Sequence, residues 1–243
     1  MGTSPQYRFP RSFEKTGHSP IIIFITGILP PFLLFSLFVT LFIPDSKDFS
    51  KFLVYVDMVC IIGFDFFMAV KHFISSSSKM KTLYFDISFH YLFADLVIFI
   101  AKAHSRIYFI SKLPFFLYHF AKTIDSRFSS RQSNSDFLLN FTRPIMKSIG
   151  LQRFRAFMEI LVLFYLIFYS FVAFRLNVIA ATLGYLVLFI ILAYRTDPCH
   201  RDAWRWIMSP AAQGGGRTAA HFRAASEKVE LVARSIYPTP YVY

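Results

Sequence analysis

Residues 156–194 limit this chain more than any other stretch: 39 consecutive positions carry only two charged side chains, Glu159 near the start and Arg175 at the centre. About 20 apolar helical residues cross the hydrocarbon core of a bilayer. The stretch is therefore twice the length of one span, and the expectation is a pair of helices turning near Arg175-Leu176-Asn177. A soluble fold has no place for such a segment unless a large polar shell covers it. The composition supplies no such shell: 55% of residues are hydrophobic, 16% are charged, and phenylalanine occurs 32 times. Ordinary soluble domains carry about 25% charged residues.

A second clean run lies near the start. Residues 21–43 include no charge and are long enough to span. The run is too long for the apolar core of a signal peptide, and Pro44-Asp45-Ser46 is not a small-x-small cleavage site, so it reads as an uncleaved first span. Pro30 and Pro31 sit mid-run and are expected to kink it. Residues 52–70 and 83–101 have spanning length but contain Asp57 and Asp65 in the first, and Asp86, His90 and Asp95 in the second. Residues 107–121, with Lys112 and Pro114, fit a strained span, a re-entrant piece or an interfacial helix equally well. The fold class is thus all-α, a polytopic bundle of four to six membrane helices with cytosolic amphipathic helices.

The remaining segments are polar. Residues 1–20 are basic, and residues 122–155 form a basic connector with a linker-like centre at 129–136. Within it Leu138, Phe141, Ile145 and Ile149 recur at helical spacing beside Arg143, Lys147, Arg153 and Arg155, the pattern of a helix lying on a headgroup surface. The tail, 195–243, has a flexible joint at Gly214-Gly215-Gly216. Beyond it Phe222, Ala225, Val229, Val232 and Ile236 form one helical face, with Arg223, Lys228 and Arg234 on the other. This face suits a membrane surface, a partner protein or the bundle itself.

Charge sets the orientation. If all six apolar runs cross and the N-terminus is cytosolic, the opposite side receives only Lys47, Lys51, Lys102, Arg106, Lys112 and Arg175 of the 26 Lys and Arg. That asymmetry follows the positive-inside rule. It places Asn140-Phe141-Thr142, a formal glycosylation acceptor, in the cytosol, where it stays unmodified. The net charge of +12 suits an anionic lipid surface as well as nucleic acid. The spanning runs favour lipid and leave no nucleic-acid module.

Candidate chemistry is sparse. Asp57, Asp65, Asp86, His90 and Asp95 are ionisable groups at membrane depth, which mark ion or proton paths by default. The alternative is that they sit near headgroups or pair with Lys71, Lys102 or each other. His90 and Asp95 also match the His-x4-Asp spacing of glycerolipid acyltransferases, but the phosphate-binding segment that should follow is missing. Two cysteines, Cys60 and Cys199, make neither a disulfide framework nor a thiolate metal site. No cofactor motif is present.

Several segments resemble the transmembrane protein 33 family, which includes the 33-kilodalton pore-membrane proteins of the nuclear envelope. They are His90-Tyr91-Leu92 with the later Leu113-Pro114-Phe115-Phe116-Leu117 and His119, then Met158-Glu159-Ile160, and then Tyr185 through Tyr194-Arg195 with Pro198, Cys199 and Arg201. Together they lie within residues 52–207. Asp197 and Asp95 depart from the family pattern. The resemblance implies residence in the endoplasmic reticulum and nuclear envelope. It also implies partnership with reticulon-type tubule-shaping or pore-assembly proteins, and no catalysis. Two rival readings are an ion or solute carrier using the intramembrane Asp and His residues, and an accessory subunit of a larger membrane complex such as a respiratory assembly.

Overall fold

The computed structural model describes residues 24–43, 48–75, 87–103, 105–128 and 136–213, with residues 220, 224, 227, 228, 231 and 235 beyond these. Among the described residues the fold is all helical, and four helices are long and apolar enough to cross a membrane: Phe24–Phe42, Asp48–Ile74, Ile149–Ala173 and Leu176–Tyr194.

The first span begins as a π-helical turn, Phe24–Ile28, and continues as α1, Leu29–Phe42. Pro30 and Pro31 stand just past the switch from π- to α-helix, in the first turn of the α-helical part, where missing N–H groups are best tolerated. Helix α2 (Asp48–Ser75) is followed by α3 (Ile87–Ile100) and α4 (Arg106–Phe128). Next come α5 (Asp136–Lys147) and α6 (Ile149–Ala173). The last span is composite: α7 (Leu176–Gly184), a π-helical stretch Tyr185–Ile190, and α8 (Ile191–Thr196), with α9 (Pro198–Gln213) beyond it.

The expected hairpin turn falls within a residue of its predicted place. Phe174 ends α6 in the left-handed conformation (φ 45°), its N–H bonding Ser170 O, and extended Arg175 leads into α7. The α3–α4 connection is a Schellman closure. Lys102 is left-handed (φ 52°), its N–H donates to Phe99 O, and Ala103 N–H donates to Ile98 O.

Side-chain bonds between helix ends sort the connections onto two faces. Arg106 donates to Ile43 O at 3.2 Å and Asn177 to Ala101 O at 3.4 Å, which gathers the ends of α1 and α3, the start of α4 and the α6–α7 turn on one face. On the opposite face Thr123 donates to Thr26 O at 2.7 Å, and Ser88 Oγ lies 3.3 Å from His72 Nδ1. Arg153 pairs there with Asp202 at 3.3 Å. The chain thus runs up and down through six passes. The first face, which holds the α6–α7 turn, is called the hairpin face. The second, which also holds α5 and α9, is called the basic face.

Helix α4 settles the doubtful segment 107–121. It forms one continuous helix packed inside the bundle: 23 residues run unbroken through Pro114, about 35 Å at 1.5 Å per residue. Tyr108, Phe109, Ser111, Lys112, Phe115, Phe116 and His119 are all buried. Rings from neighbouring helices pack on it. Phe64 of α2 meets Phe115, Phe116 and His119 at centroid distances of 5.9, 5.4 and 5.1 Å, and Tyr91 of α3 meets Phe115 at 5.2 Å. The outer surface is the reverse of a soluble protein. Phe35, Phe42, Phe66, Phe168 and Phe171 are 58–76% exposed, a density of bare rings that only lipid covers without aggregation.

The basic connector forms a helix, α5, where the periodicity of Leu138, Phe141 and Ile145 placed one, whereas Ile149, Arg153 and Arg155 belong to α6. Leu139 and Thr142 turn inward, while Phe137 (82% exposed) and Phe141 (58%) point away from the protein. Arg143 anchors α5 to Asp125 of α4 at 3.4 Å. Of the tail helix, Lys228 is exposed. Phe222, Arg223, Ala225, Val229, Val232, Arg234 and Ile236 lie outside the described residues, as does Asp86.

Candidate functional site, a polar network inside the bundle

Lipid offers no partner to a buried polar group, so each one inside a membrane bundle must be satisfied by protein. The simplest case is Asp57. Two hydroxyls one turn apart on α1 face it: Ser36 Oγ donates to Oδ1 at 2.5 Å and Thr40 Oγ1 to Oδ2 at 2.7 Å. The carboxylate is fully buried and ties α2 to α1.

Asp65 and Asp95 meet across α2 and α3, and the side chain between them comes from α4. Lys112 Nζ lies 2.5 Å from Asp95 Oδ1, 2.7 Å from Oδ2 and 3.9 Å from Asp65 Oδ2. Tyr108, one turn earlier on α4, donates to Asp95 Oδ1 at 2.9 Å. The ammonium also stands over the rings of Tyr91 and Tyr108, 4.8 and 5.4 Å from their centroids. Both carboxylates are buried inside the bundle, and the partner is neither Lys71 nor Lys102. Asp65 sits ten residues before the end of its helix, about 15 Å of rise. In the sequence Lys112 stood out as a charge within an apolar run, and in the structure it is the counter-charge of two buried carboxylates.

A second cluster lies toward the basic face. Tyr91 OH donates to Glu159 Oε1 at 2.7 Å, and His200 Nε2 lies 2.6 Å from Glu159 Oε2. Arg155, one turn before Glu159 on α6, approaches the same carboxylate at 3.7 Å and forms its principal ion pair with Asp197. Tyr185 OH donates to the Glu159 carbonyl at 3.2 Å. Asp197 also caps α9, accepting from Cys199 N–H at 2.8 Å, with Pro198 at the first helical position. His200 and Cys199 are fully buried. Burial and the Asp197 carboxylate push the Cys199 thiol up to about 12. It is a protonated packing group, not a reactive thiolate.

Tyr91 belongs to both clusters, its ring under Lys112 and its hydroxyl on Glu159. A continuous polar seam therefore runs from Tyr108 near the hairpin face to Asp197 at the basic face, joining α3, α4, α6, π-helical Tyr185 and α9, with Asp65 adding α2. No known family, curated protein or solved structure matches this chain. The geometry of the seam therefore has to speak for itself.

Of the five intramembrane groups singled out in the sequence, the structure brings Asp65 and Asp95 together and keeps Asp57 apart. His90 is buried on α3 but does not form the acyltransferase dyad. Five residues on one helix are roughly 140° apart around the axis, and both Asp95 oxygens bond Lys112 or Tyr108. Sequence reasoning missed Tyr91, Tyr108, Arg155, Glu159, Asp197 and His200. A signal existed for two of them: Arg155 and Glu159 stand four apart at the mouth of the longest apolar run, the spacing of an intrahelical ion pair. Among the described residues no group of three or more His, Cys, Asp or Glu side chains could hold a metal ion.

Proposed function

We propose that this protein is a non-enzymatic membrane wedge of the endoplasmic reticulum and nuclear envelope that shapes the bilayer or recruits other membrane proteins to it, with the basic face and both chain ends in the cytosol. One observation carries the reading. On the basic face α5 presents Phe137 and Phe141 outward beside the spans, and α9 adds Trp206 (66% exposed), whereas the hairpin face has short connections such as Phe174-Arg175. A body that fills more area in one leaflet than in the other biases curvature. The seam supports this by fixing six helices relative to one another, because a wedge must not relax when the bilayer pushes back.

The choice of reticulum and nuclear envelope, and of reticulon-type or pore-assembly partners, rests on the resemblance of residues 90–92, 113–119, 158–160 and 185–201 to the transmembrane protein 33 family. The cytosolic placement rests on charge: Lys51, Lys102, Arg106 and Arg175 lie at the hairpin face, while Lys112 and Arg155 neutralise carboxylates inside the bundle. The carrier reading is weaker, because Lys112 Nζ already fills the position between Asp65 and Asp95 that a transported cation would need.

Reconstitution into liposomes tests the wedge. Wild type is expected to tubulate or shrink vesicles, and Phe137→Asp with Phe141→Asp to lower that effect severalfold while the protein stays inserted. Vesicles left unchanged by wild type overturn the reading. Orientation has its own measurement: Asn140 remains without glycan when the chain is translated into microsomes, and a glycan lost in Asn140→Gln reverses the assigned sides.

A further inference from the structure

An open apolar groove of about 540 Å³ runs between α1, α4 and the first turns of α6, walled by Leu34 and Phe38, Leu113 and Leu117, and Leu151 and Phe154. Its walls extend over seven residue steps of both α1 and α4, about 10 Å of helix. Helix α6 starts at the basic face, so the Leu151 end of the groove opens in the leaflet on that side. There Ile145 of α5 borders groove residues Pro114 and Leu151.

The chemistry changes at that end. Ile145 stands between Arg143 and Lys147 on the last turn of α5, and Arg153 precedes groove residue Phe154 on α6. Lys147 is exposed and makes no ion pair among the described residues. Arg143 and Arg153 pair with Asp125 and Asp202 at 3.4 and 3.3 Å, but their side chains are 53% and 57% exposed, and such surface pairs hold weakly.

We infer that this groove takes one acyl chain of an anionic glycerophospholipid from the basic-side leaflet, whose headgroup phosphate rests on Lys147 with Arg143 and Arg153 beside it. Any acyl chain fits the apolar walls. The cations at one end select the anionic class, because each basic residue near a negative headgroup is worth about 1 kcal/mol. A zwitterionic lipid gains the groove but not the net attraction. The inference needs only that the chain is embedded in lipid, and it stands whether or not the protein bends membranes.

Native mass spectrometry of the full chain in mild detergent tests it, with phosphatidylserine and phosphatidylcholine of identical acyl chains added in equal amounts. The serine lipid should be retained over the choline lipid by about fivefold, equivalent to one contact of about 1 kcal/mol. Lys147→Gln changes an exposed side chain, so the fold survives, and the ratio should fall toward one. Leu117→Trp fills the groove and should lower both adducts together. A photoactivatable phosphatidylserine bearing its reactive group on the acyl chain should label α1 and α4 in wild type, which reads the site even if the Trp variant fails to fold. Equal retention of the two lipids overturns the inference. So does a preference that survives Lys147→Gln, labelling confined to other helices, or a groove closed to lipid because a second copy of the chain covers it.

Discussion

Replacing Lys112 by Met is expected to cost about 3–5 kcal/mol of stability, the penalty for removing one partner of a buried ion pair. The change leaves the volume nearly unaltered and makes α4 more apolar, so hydropathy alone would score it as an improvement. The structure argues otherwise. Lys112 Nζ is the cation between Asp95 at 2.5 Å and Asp65 at 3.9 Å, and both carboxylates are buried. Without it two buried carboxyl groups face each other with no cation between them, and Asp95 keeps Tyr108 as its donor. Thermal unfolding in detergent should show a Tm lower by roughly 10 °C for a chain of this size. The compensating variant is decisive. Asp65→Asn and Asp95→Asn combined with Lys112→Met removes the charges from both sides and should recover most of the loss, because a buried pair is costly chiefly when broken. If Lys112→Met unfolds at the wild-type temperature, the ammonium does not stabilise the bundle and the account of the seam fails.

Glu159→Leu should be as damaging, by about 3–5 kcal/mol, but with a different signature. This carboxylate receives Tyr91 at 2.7 Å and His200 at 2.6 Å and has Arg155 within 3.7 Å. Leucine strands all three polar groups, and His200 Nδ1 already lacks a hydrogen-bond partner among the described residues. The helix that loses its hold is α9, which is fixed to α6 through His200 and through Asp197 beside it. Both tryptophans of the chain, Trp204 and Trp206, are on α9, so their emission should shift as it loosens. Cys199 gives a second readout. In wild type it is fully buried with its thiol pushed up to about 12. The reactive thiolate is therefore absent at neutral pH, and its fraction grows only as the pH approaches that value. Maleimide should modify Cys199 slowly in wild type and many times faster in Glu159→Leu. Tyr91→Phe removes one of the bonds and should cost only about 0.6 kcal/mol, the average for an interhelical side-chain bond in lipid. Equal maleimide rates in wild type and Glu159→Leu would show that α9 is held by something else.

Much of this architecture was legible in the order of residues. Apolar length fixed the spans: 156–194 had to fold in two, and the break came at Phe174-Arg175 because the only mid-run cation belongs at a water boundary. The spacing of Leu138, Phe141 and Ile145 gave a helix for a related reason, since periodicity is a local property of one helix, but Ile149, read with them, opens the next helix instead. The prolines marked a real change in the helix: the π-helical turn gives way to α-helix directly before Pro30-Pro31.

What no linear pattern supplied was the pairing of charges. Asp65, Asp95 and Lys112 are 30 and 17 positions apart along the chain, and Glu159 finds His200 41 positions away. Asp65, Asp95 and Lys112, taken alone, each weakened the case for an apolar span at their segment. A bilayer rejects a lone charge but accepts a neutralised cluster, and neutralisation is decided by which helix faces which. Composition and hydropathy therefore determined that this chain lives in a membrane and that it can cross four to six times. The tertiary structure alone decided which carboxylate meets which cation, because those contacts exist only after the helices have packed.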